Sequence, residues 1–388
     1  MSIALVNARV LTDDGFRDDL AVLVDGAHIS GLVAESDMHA TAALRHDLHG
    51  RYLLPGFIDC QVNGGGDVLF NDAPTVETVR RIGTAHRRYG TTGFLPTLIS
   101  DSRETMAAAI AATDAAIAAG VPGVLGIHLE GPYLAPLRRG AHDAAQFRQP
   151  DAEEIELAAS LQHGVTLLTL APEQIAANAI ADFVRRGVIV AAGHTAASYE
   201  QLMQAFALGV RGVTHLFNAM TQISGREPGA VGAALDHRDS WCGLINDGHH
   251  VHAANLRTAL RAKPRGRLFL VTDAMPPVGG ERGEYTLAGQ RVLVRDGRCV
   301  NEQGALAGSA LDMLSAVRNS VEQLGLPLAE AARMASTYAA EFLGLGDRYG
   351  RIQAGYAADF VILDDDWNVH ETWIAGRRDA SMPLSHPG

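Results

Sequence analysis

"LGIHLEGPYLAPLRRGAH", residues 125–142, decides the fold. It opens as an apolar strand and then puts Glu130 where the next buried side chain belongs, among glycines and histidines. Short apolar runs of the same kind recur along the chain: "YLLPGFIDCQVNGG" (52–65), "GTTGFLPTLIS" (90–100), "GVTLLTLAPE" (164–173), "GVIVAAGHTA" (187–196), "RGVTHLFNAM" (211–220), "SWCGLINDGHH" (240–250) and "GRLFLVTDAM" (266–275). Most segments between them read as helices. "DSRETMAAAIAATDAAIAAG" (101–120) starts on an N-cap candidate and ends on a C-cap glycine, and "SYEQLMQAFALG" (198–209) repeats the device.

Eight near-continuously apolar strands alternating with helices fit a TIM-like (β/α)8 barrel, whose strands are buried on both faces. A doubly wound sheet is the rival, but "NGGGD" at 63–67 does not match the glycine-rich phosphate turn of that fold. A barrel gathers the carboxyl ends of its strands on one face, where active sites sit. Standing at those ends are Asp59, Gln61, Asn63, Glu130, His194, His215, Asn218, Asp247, His249, His250 and Asp273. Folding alone does not require so many polar and ionisable groups there.

Both chain ends read as strands. Alternation in "IALVNARVL" (3–11) and "LAVLVDGAHISGLV" (20–33) returns in "GRIQAGYAADFVILDDDWNVHETWIAG" (350–376). Neither half can bury a core alone, so residues 1–54 and 346–388 are expected to pair as one small β-sandwich beside a barrel of residues 55–345. "ERGEYTLAGQRVLVRDGRCVNEQ" (281–303) reads as a hairpin insertion after the eighth strand. "SALDMLSAVRNSVEQLG" and "PLAEAARMASTYAAEFLG" then read as amphipathic helices that close the barrel.

Bulk properties narrow the chemistry. The net charge of −12, without a basic cluster, argues against nucleic acid as a partner. No apolar run approaches the roughly 20 residues of a membrane span. The amino terminus meets charge and glycine too early for a secretory signal. Three widely spaced cysteines suggest neither a disulfide framework nor a cysteine zinc site, and fit a reducing cytoplasm. Among 32 basic residues only Lys263 is lysine, in a stretch that reads as a helix end or loop. Schiff-base chemistry or a carbamylated lysine bridging two metals therefore has almost no candidate.

Glu130, His194 and His215 end the third, fifth and sixth strands, and a barrel brings them to one axis. Two imidazoles and a carboxylate form a ligand set for a catalytic divalent metal, with positions left open for water and substrate. A lone histidine at a strand end is more often a satisfied core group; the three together favour ligation. Asp273 ends the last strand and can serve as a proton acceptor and donor, although an N-cap or a salt bridge would also place an acid there. His142 and His250 come from loops over the same face. His142 reads first as plain surface; facing the site, its imidazole would polarise a carbonyl. Arg226, in "SGREPGAVG", is a candidate anion clamp.

"PGFIDCQVNGGGDVLFND", "TTGFLPTLIS", "GIHLEGPYLAPLRRGAH", "AGHTAAS", "VTHLFNAM", "INDGHHVH", "VTDAM" and "LAGSALDM", in consistent order from about residue 50 to 365, together resemble the N-acetylglucosamine-6-phosphate deacetylases, a family of the amidohydrolase superfamily. The resemblance implies hydrolysis of the acetamide of N-acetyl-D-glucosamine 6-phosphate, giving D-glucosamine 6-phosphate and acetate, in a cytoplasmic homodimer. It implies Glu130, His194 and His215 as metal ligands, Asp273 as the general base and acid, and His142 as the group polarising the acetyl carbonyl. Asn218, Ala219, His250 and Arg226 would hold the sugar phosphate, with Arg226 reaching in from the second subunit. Ala141, Leu306, Ala307 and Gly308 would complete the substrate pocket, the last three at its acetyl end.

Many superfamily members carry an HxH pair after the first strand and bind two metals. Here the positions read Gln61-Val62-Asn63, and amides ligate divalent metals poorly, so one metal is expected. Zinc is the first expectation, and iron, manganese or cobalt also suit such a ligand set. The alternatives are a deacetylase of the galactosamine isomer, a cyclic amidase of the dihydroorotase or dihydropyrimidinase kind, and a barrel that only senses sugar phosphates. The missing HxH and lysine speak against the second, and the complete acid and imidazole set against the third.

Overall fold

The computed structural model describes residues 2–40 and 43–379. Eight parallel strands are β1 (Phe57–Val62), β2 (Thr91–Ile99), β3 (Gly126–Glu130), β4 (Val165–Leu170), β5 (Ile189–Ala192), β6 (Gly212–Val213), β7 (Trp241–Leu244) and β8 (Leu268–Leu270). They lie side by side in chain order, and in register Glu130 faces Ile99 on one neighbour and Thr169 on the other. The barrel closes where the chain leaves β8: Asp273 N donates to Gln61 O at 3.1 Å and Asn63 N to Ala274 O at 2.9 Å. Buried Asp59 reinforces this seam by accepting from Thr272 Oγ1 at 2.5 Å and from Thr272 N at 3.3 Å.

The strands are short at the mouth because the chain must turn its last side chains inward. β6 has only two residues, and left-handed backbone follows at His215 (φ 30°) and Phe217 (φ 81°). Around the strands the helices start and stop where local chemistry dictates. Ser102 Oγ accepts from Thr105 N ahead of the helix Arg103–Ala118, and Ser198 forms a capping box with Gln201 ahead of Tyr199–Ala207. Gly120 (φ 69°) and Gly209 (φ 101°) follow the two helices in conformations that a side chain would oppose.

At the amino ends of the strands Phe342 stacks on Phe269, ring centroids 4.6 Å apart, and fills the floor. Truncating such a fully buried ring costs ~3–5 kcal/mol. Phe342 ends the helix Thr337–Phe342, and "PLAEAARMASTYAAEFLG" forms two helices, not one, because Ser336 leaves helical geometry (φ −137°, ψ −77°). Lys263 is at the same end of the barrel. Its ammonium is buried on the carbonyls of Ala234 and His237 and the hydroxyl of Ser240, away from the mouth.

Strands from both chain ends form a single sheet. Leu44–Pro55 runs parallel to Ile3–Thr12 on one side and antiparallel to Phe360–Leu363 on the other, within one eight-stranded sheet, seven strands in a continuous path and Gly15–Arg17 paired off it with Ile3–Thr12, where the sequence suggested a β-sandwich. Period-two alternation explains how one sheet serves two cores. Leu53, Phe360 and Ile362 pack with Leu5, Val10, Val22 and Trp373 on one face, while Leu54, Val361 and Leu363 join the barrel core on the other. Residues 380–388, assigned to this part of the chain from the sequence, lie outside the described residues.

The insertion after β8 is larger than a hairpin: four antiparallel strands span Glu284–Leu287, Gln290–Arg295, Arg298–Asn301 and Leu306–Ser309. It is tied to the barrel mouth where Ser309 N donates to Asp273 O at 2.9 Å and Met275 N to Ser309 O at 3.0 Å. Among the described residues no helix is long and apolar enough to cross a membrane, and all three cysteines are free and buried.

Candidate active site

A cavity of about 190 Å³ opens at the carboxyl ends of the strands. Glu130 reaches it as the last residue of β3, His194 from just beyond β5, His215 from just beyond β6 and Asp273 from just beyond β8. Three of the four have left-handed backbone: His194 at φ 47°, His215 at φ 30° and Asp273 at φ 54°. Such conformations cost non-glycine residues of order 1–3 kcal/mol each, and their concentration at one mouth marks a functional site.

Oε1 of Glu130 lies 3.0 Å from Nε2 of His215 and 3.3 Å from Nε2 of His194, and the two Nε2 atoms are 3.1 Å apart. A cation bound at the ~2.0–2.1 Å usual for zinc in tetrahedral geometry holds its ligand atoms about 3.3 Å from one another, so this triangle suits one. The second ring nitrogen of His194 agrees with that use. His194 donates Nδ1–H to the carbonyl of Arg138 at 2.8 Å, which leaves its Nε2 lone pair free to ligate. Burial alone would raise the Glu130 carboxyl, yet the His194 and His215 imidazoles set against it hold it well below the ordinary range. Among the described residues these three form the one group of histidine, cysteine and acidic side chains arranged to hold a metal.

Gln61 and Asn63, at the positions where an HxH pair would stand, do other work. The Gln61 amide donates to Glu130 Oε1 at 3.0 Å and to Asp273 Oδ1 at 3.2 Å, and the Asn63 amide donates to Asp273 Oδ1 at 2.7 Å. The Gln61 amide thus bridges the two carboxylates, and both amides hold Oδ1 of Asp273. Burial and the neighbouring charge of Glu130 push the Asp273 carboxyl up to about 6. With Oδ1 occupied by two donors, Oδ2 is the oxygen left to carry a proton.

His142 is buried beside the ligands, its Nε2 3.8 Å from Glu130 Oε2. Its Nδ1 accepts from the backbone amide of Ser100 at 3.3 Å and lies 2.9 Å from the Ser100 hydroxyl. Burial, together with the nearby His194 ring, pushes it down to about 3, so the ring stays neutral. On the opposite wall His250 is oriented by Asp247, with Nδ1 and Oδ2 2.6 Å apart. Below the ligands a buried polar layer supports β3: His128 lies between Thr97 Oγ1 (3.2 Å) and Thr169 Oγ1 (2.8 Å).

Of the residues expected from the sequence, Ala141, Asn218, Ala219, Leu306 and Gly308 also line the cavity, alongside His142 and His250. Ala307 does not line it. It is buried behind the wall, where its carbonyl accepts from the Tyr285 hydroxyl at 2.5 Å. Arg226 lies exposed on its loop, outside the lining of this chain's own cavity. Sequence reasoning missed Ile99, Met275 and Leu287 as lining residues. Their signal was available in part, since Ile99 ends β2 and Met275 follows Asp273 by two positions.

Residues 52–378 match the amidohydrolase family. The chain is 43% identical to an N-acetylgalactosamine-6-phosphate deacetylase of Shewanella sp. (strain ANA-3), across 95% of this chain and 94% of that one. It is 34% identical to an N-acetylglucosamine-6-phosphate deacetylase of Haemophilus influenzae, across 97% and 99%. The crystal structure of N-acetylglucosamine-6-phosphate deacetylase from Pasteurella multocida superposes with a TM-score of 0.94 at 36% identity, covering 98% of this chain and 100% of that one.

Proposed function

Because the chain belongs to the amidohydrolase family, we propose that it hydrolyses the N-acetyl group of N-acetyl-D-glucosamine 6-phosphate to D-glucosamine 6-phosphate and acetate. The observation that carries this reading is the convergence, in one cavity, of a cation-sized triangle (Glu130, His194, His215), a proton carrier (Asp273) and a neutral N–H donor (His142). Amide hydrolysis needs all three functions: an activated water, stabilisation of a tetrahedral oxyanion, and a proton for the departing nitrogen.

Glu130, His194 and His215 would hold one divalent cation, zinc in the first instance with iron, manganese or cobalt as substitutes. Bound there, it supplies Lewis acidity and lowers the pKa of water. Asp273 takes the proton of the attacking water on Oδ2 while Gln61 and Asn63 fix its other oxygen. His142 presents Nε2–H to the carbonyl oxygen as negative charge develops on it. Asp273 then returns the proton to the nitrogen, without which the amine is a poor leaving group.

Asn218, Ala219 and His250 would hold the sugar, while Leu306 and Gly308, with Ala141, close around the acetamide. Arg226 lies exposed and off its own cavity, which supports a homodimer in which it clamps the partner's substrate phosphate. Free, buried cysteines agree with a reducing cytoplasm. A second substrate, the galactosamine isomer, is favoured by the name of the 43% identical relative. One hydrogen bond at the C4 hydroxyl can separate the two sugars by several orders of magnitude. Acetate release from each 6-phosphate, compared as kcat/KM, tests the reading; turnover of neither with metal present would overturn it.

A further inference from the structure

One wall of the cavity is apolar and unusually well backed. Ile99, Met275 and Leu287 face it and are 9%, 1% and 5% exposed, and behind them pack Leu69, Val292 and Cys299. The wall is built of the inserted sheet and the two strand ends nearest the reacting groups. Ile99 immediately precedes Ser100, the residue that holds His142, and Met275 follows Asp273 by two positions. Gly308 makes room for it: with φ +73°, it would bring a Cβ to 2.3 Å from Met275 Cγ. The Met275–Ser309 and Ser309–Asp273 backbone bonds lock this wall to the acid.

Resting on the deacetylase reading, the direction of the acyl chain follows by elimination. The carbon under attack carries four substituents. The attacking oxygen belongs beside Asp273 and the carbonyl oxygen beside His142. The nitrogen leads to the sugar, toward Asn218, Ala219 and His250. Only the alkyl group remains, and the wall of Ile99, Met275 and Leu287, flanked by Leu306 and Ala141, offers it an apolar surface backed by packed side chains. We infer that Leu287, contributed by the inserted sheet, is the residue that limits acyl length, so that acetyl fills the space and longer acyl groups collide with a packed cluster. Met275 is flexible and yields more readily; Leu287 is branched and backed by Val292 and Cys299.

The test compares N-acetyl with N-propionyl amino sugar 6-phosphate, in whichever sugar the wild type accepts, for wild type, Leu287→Ala and Leu287→Val. One methylene in a closed apolar pocket changes kcat/KM by roughly 10- to 200-fold. Wild type should therefore disfavour the propionyl substrate by about tenfold or more, Leu287→Ala should raise the propionyl-to-acetyl ratio by about tenfold or more, and Leu287→Val should shift it the same way by less. The ratio is taken within one preparation and does not depend on the fraction folded, and the valine variant carries the test where the alanine variant does not fold. A ratio unchanged within about twofold, or a wild type indifferent to acyl length, overturns the role of Leu287. Absence of acetate release by wild type overturns the deacetylase reading instead.

Discussion

The backbone amide of Ser100 donates to Nδ1 of His142 at 3.3 Å, and this fixes the ring's proton on Nε2, the nitrogen that faces Glu130. A backbone N–H can only donate, which selects the tautomer with Nδ1 unprotonated, and the Ser100 hydroxyl, 2.9 Å away, can donate to the same nitrogen. Because burial keeps it down at about 3, it remains a neutral N–H donor across the working range. His142→Ala is expected to lower kcat by about 10²–10³, the usual loss for an oxyanion donor. Metal content should stay unchanged, and the acid limb of the pH–rate profile should keep its midpoint. A displaced acid limb would assign the titrating group to His142 and overturn the neutral role.

Asp273→Asn keeps the side chain's shape and removes its ability to carry a proton. Turnover is expected to fall by about 10²–10⁴ with metal and substrate binding retained. The sign of the wild-type pH dependence follows from the same carboxyl. It acts as a base only when ionised, burial and Glu130 push it up to about 6, and a bound cation pulls it back down. Activity should therefore decline on the acid side with a midpoint at or below about pH 6. Near-wild-type turnover in the asparagine variant, measured as acetate release, would remove Asp273 from the mechanism.

The purified chain should carry about one divalent metal, measured by elemental analysis. Gln61 and Asn63 stand at the positions where an HxH pair would stand, and their amide N–H groups already point at Glu130 and Asp273. Chelation should abolish turnover, and zinc should restore it. His194→Ala should lose most of the metal, because the triangle then keeps only two corners. Two metals per chain would contradict the amide arrangement.

Much of this site was readable in the chain because a barrel converts strand order into spatial proximity. Glu130, His194, His215 and Asp273 each end an apolar run, and once eight runs are recognised their meeting point follows. What the sequence hid lies in bonds made across the barrel. Nothing local to Ser100 says that its amide sets the tautomer of His142, 42 positions away. Nor does "QVN" disclose that both amides converge on Asp273 rather than on a metal. Leu287 was hidden for another reason. Its segment reads as a hairpin insertion, and only the bridge from Ser309 to the Asp273 loop turns that sheet's apolar face onto the cavity.

Asp59 offers a test that is independent of catalysis. Burial pushes its carboxyl up to about 7 despite bonds from Thr272 and Gln61, whereas an unfolded aspartate titrates near 3.9. The folded chain therefore holds this proton more tightly than the unfolded one. The stability it contributes is complete below about pH 4 and is lost as the pH rises to about 7, on the order of 1–4 kcal/mol. Asparagine is neutral throughout and fits the seam. Its oxygen can accept from the backbone amides of Gln61 and Thr272, and its amide can donate to Thr272 Oγ1, which then donates to Gln61 O, 3.4 Å away. Asp59→Asn should accordingly gain on wild type by a few degrees of Tm between about pH 4 and 7, with no further gain above, in zinc-saturated protein. Parallel Tm curves across that window would mean that Asp59 stays ionised in the fold, and that its three hydrogen bonds outweigh its burial.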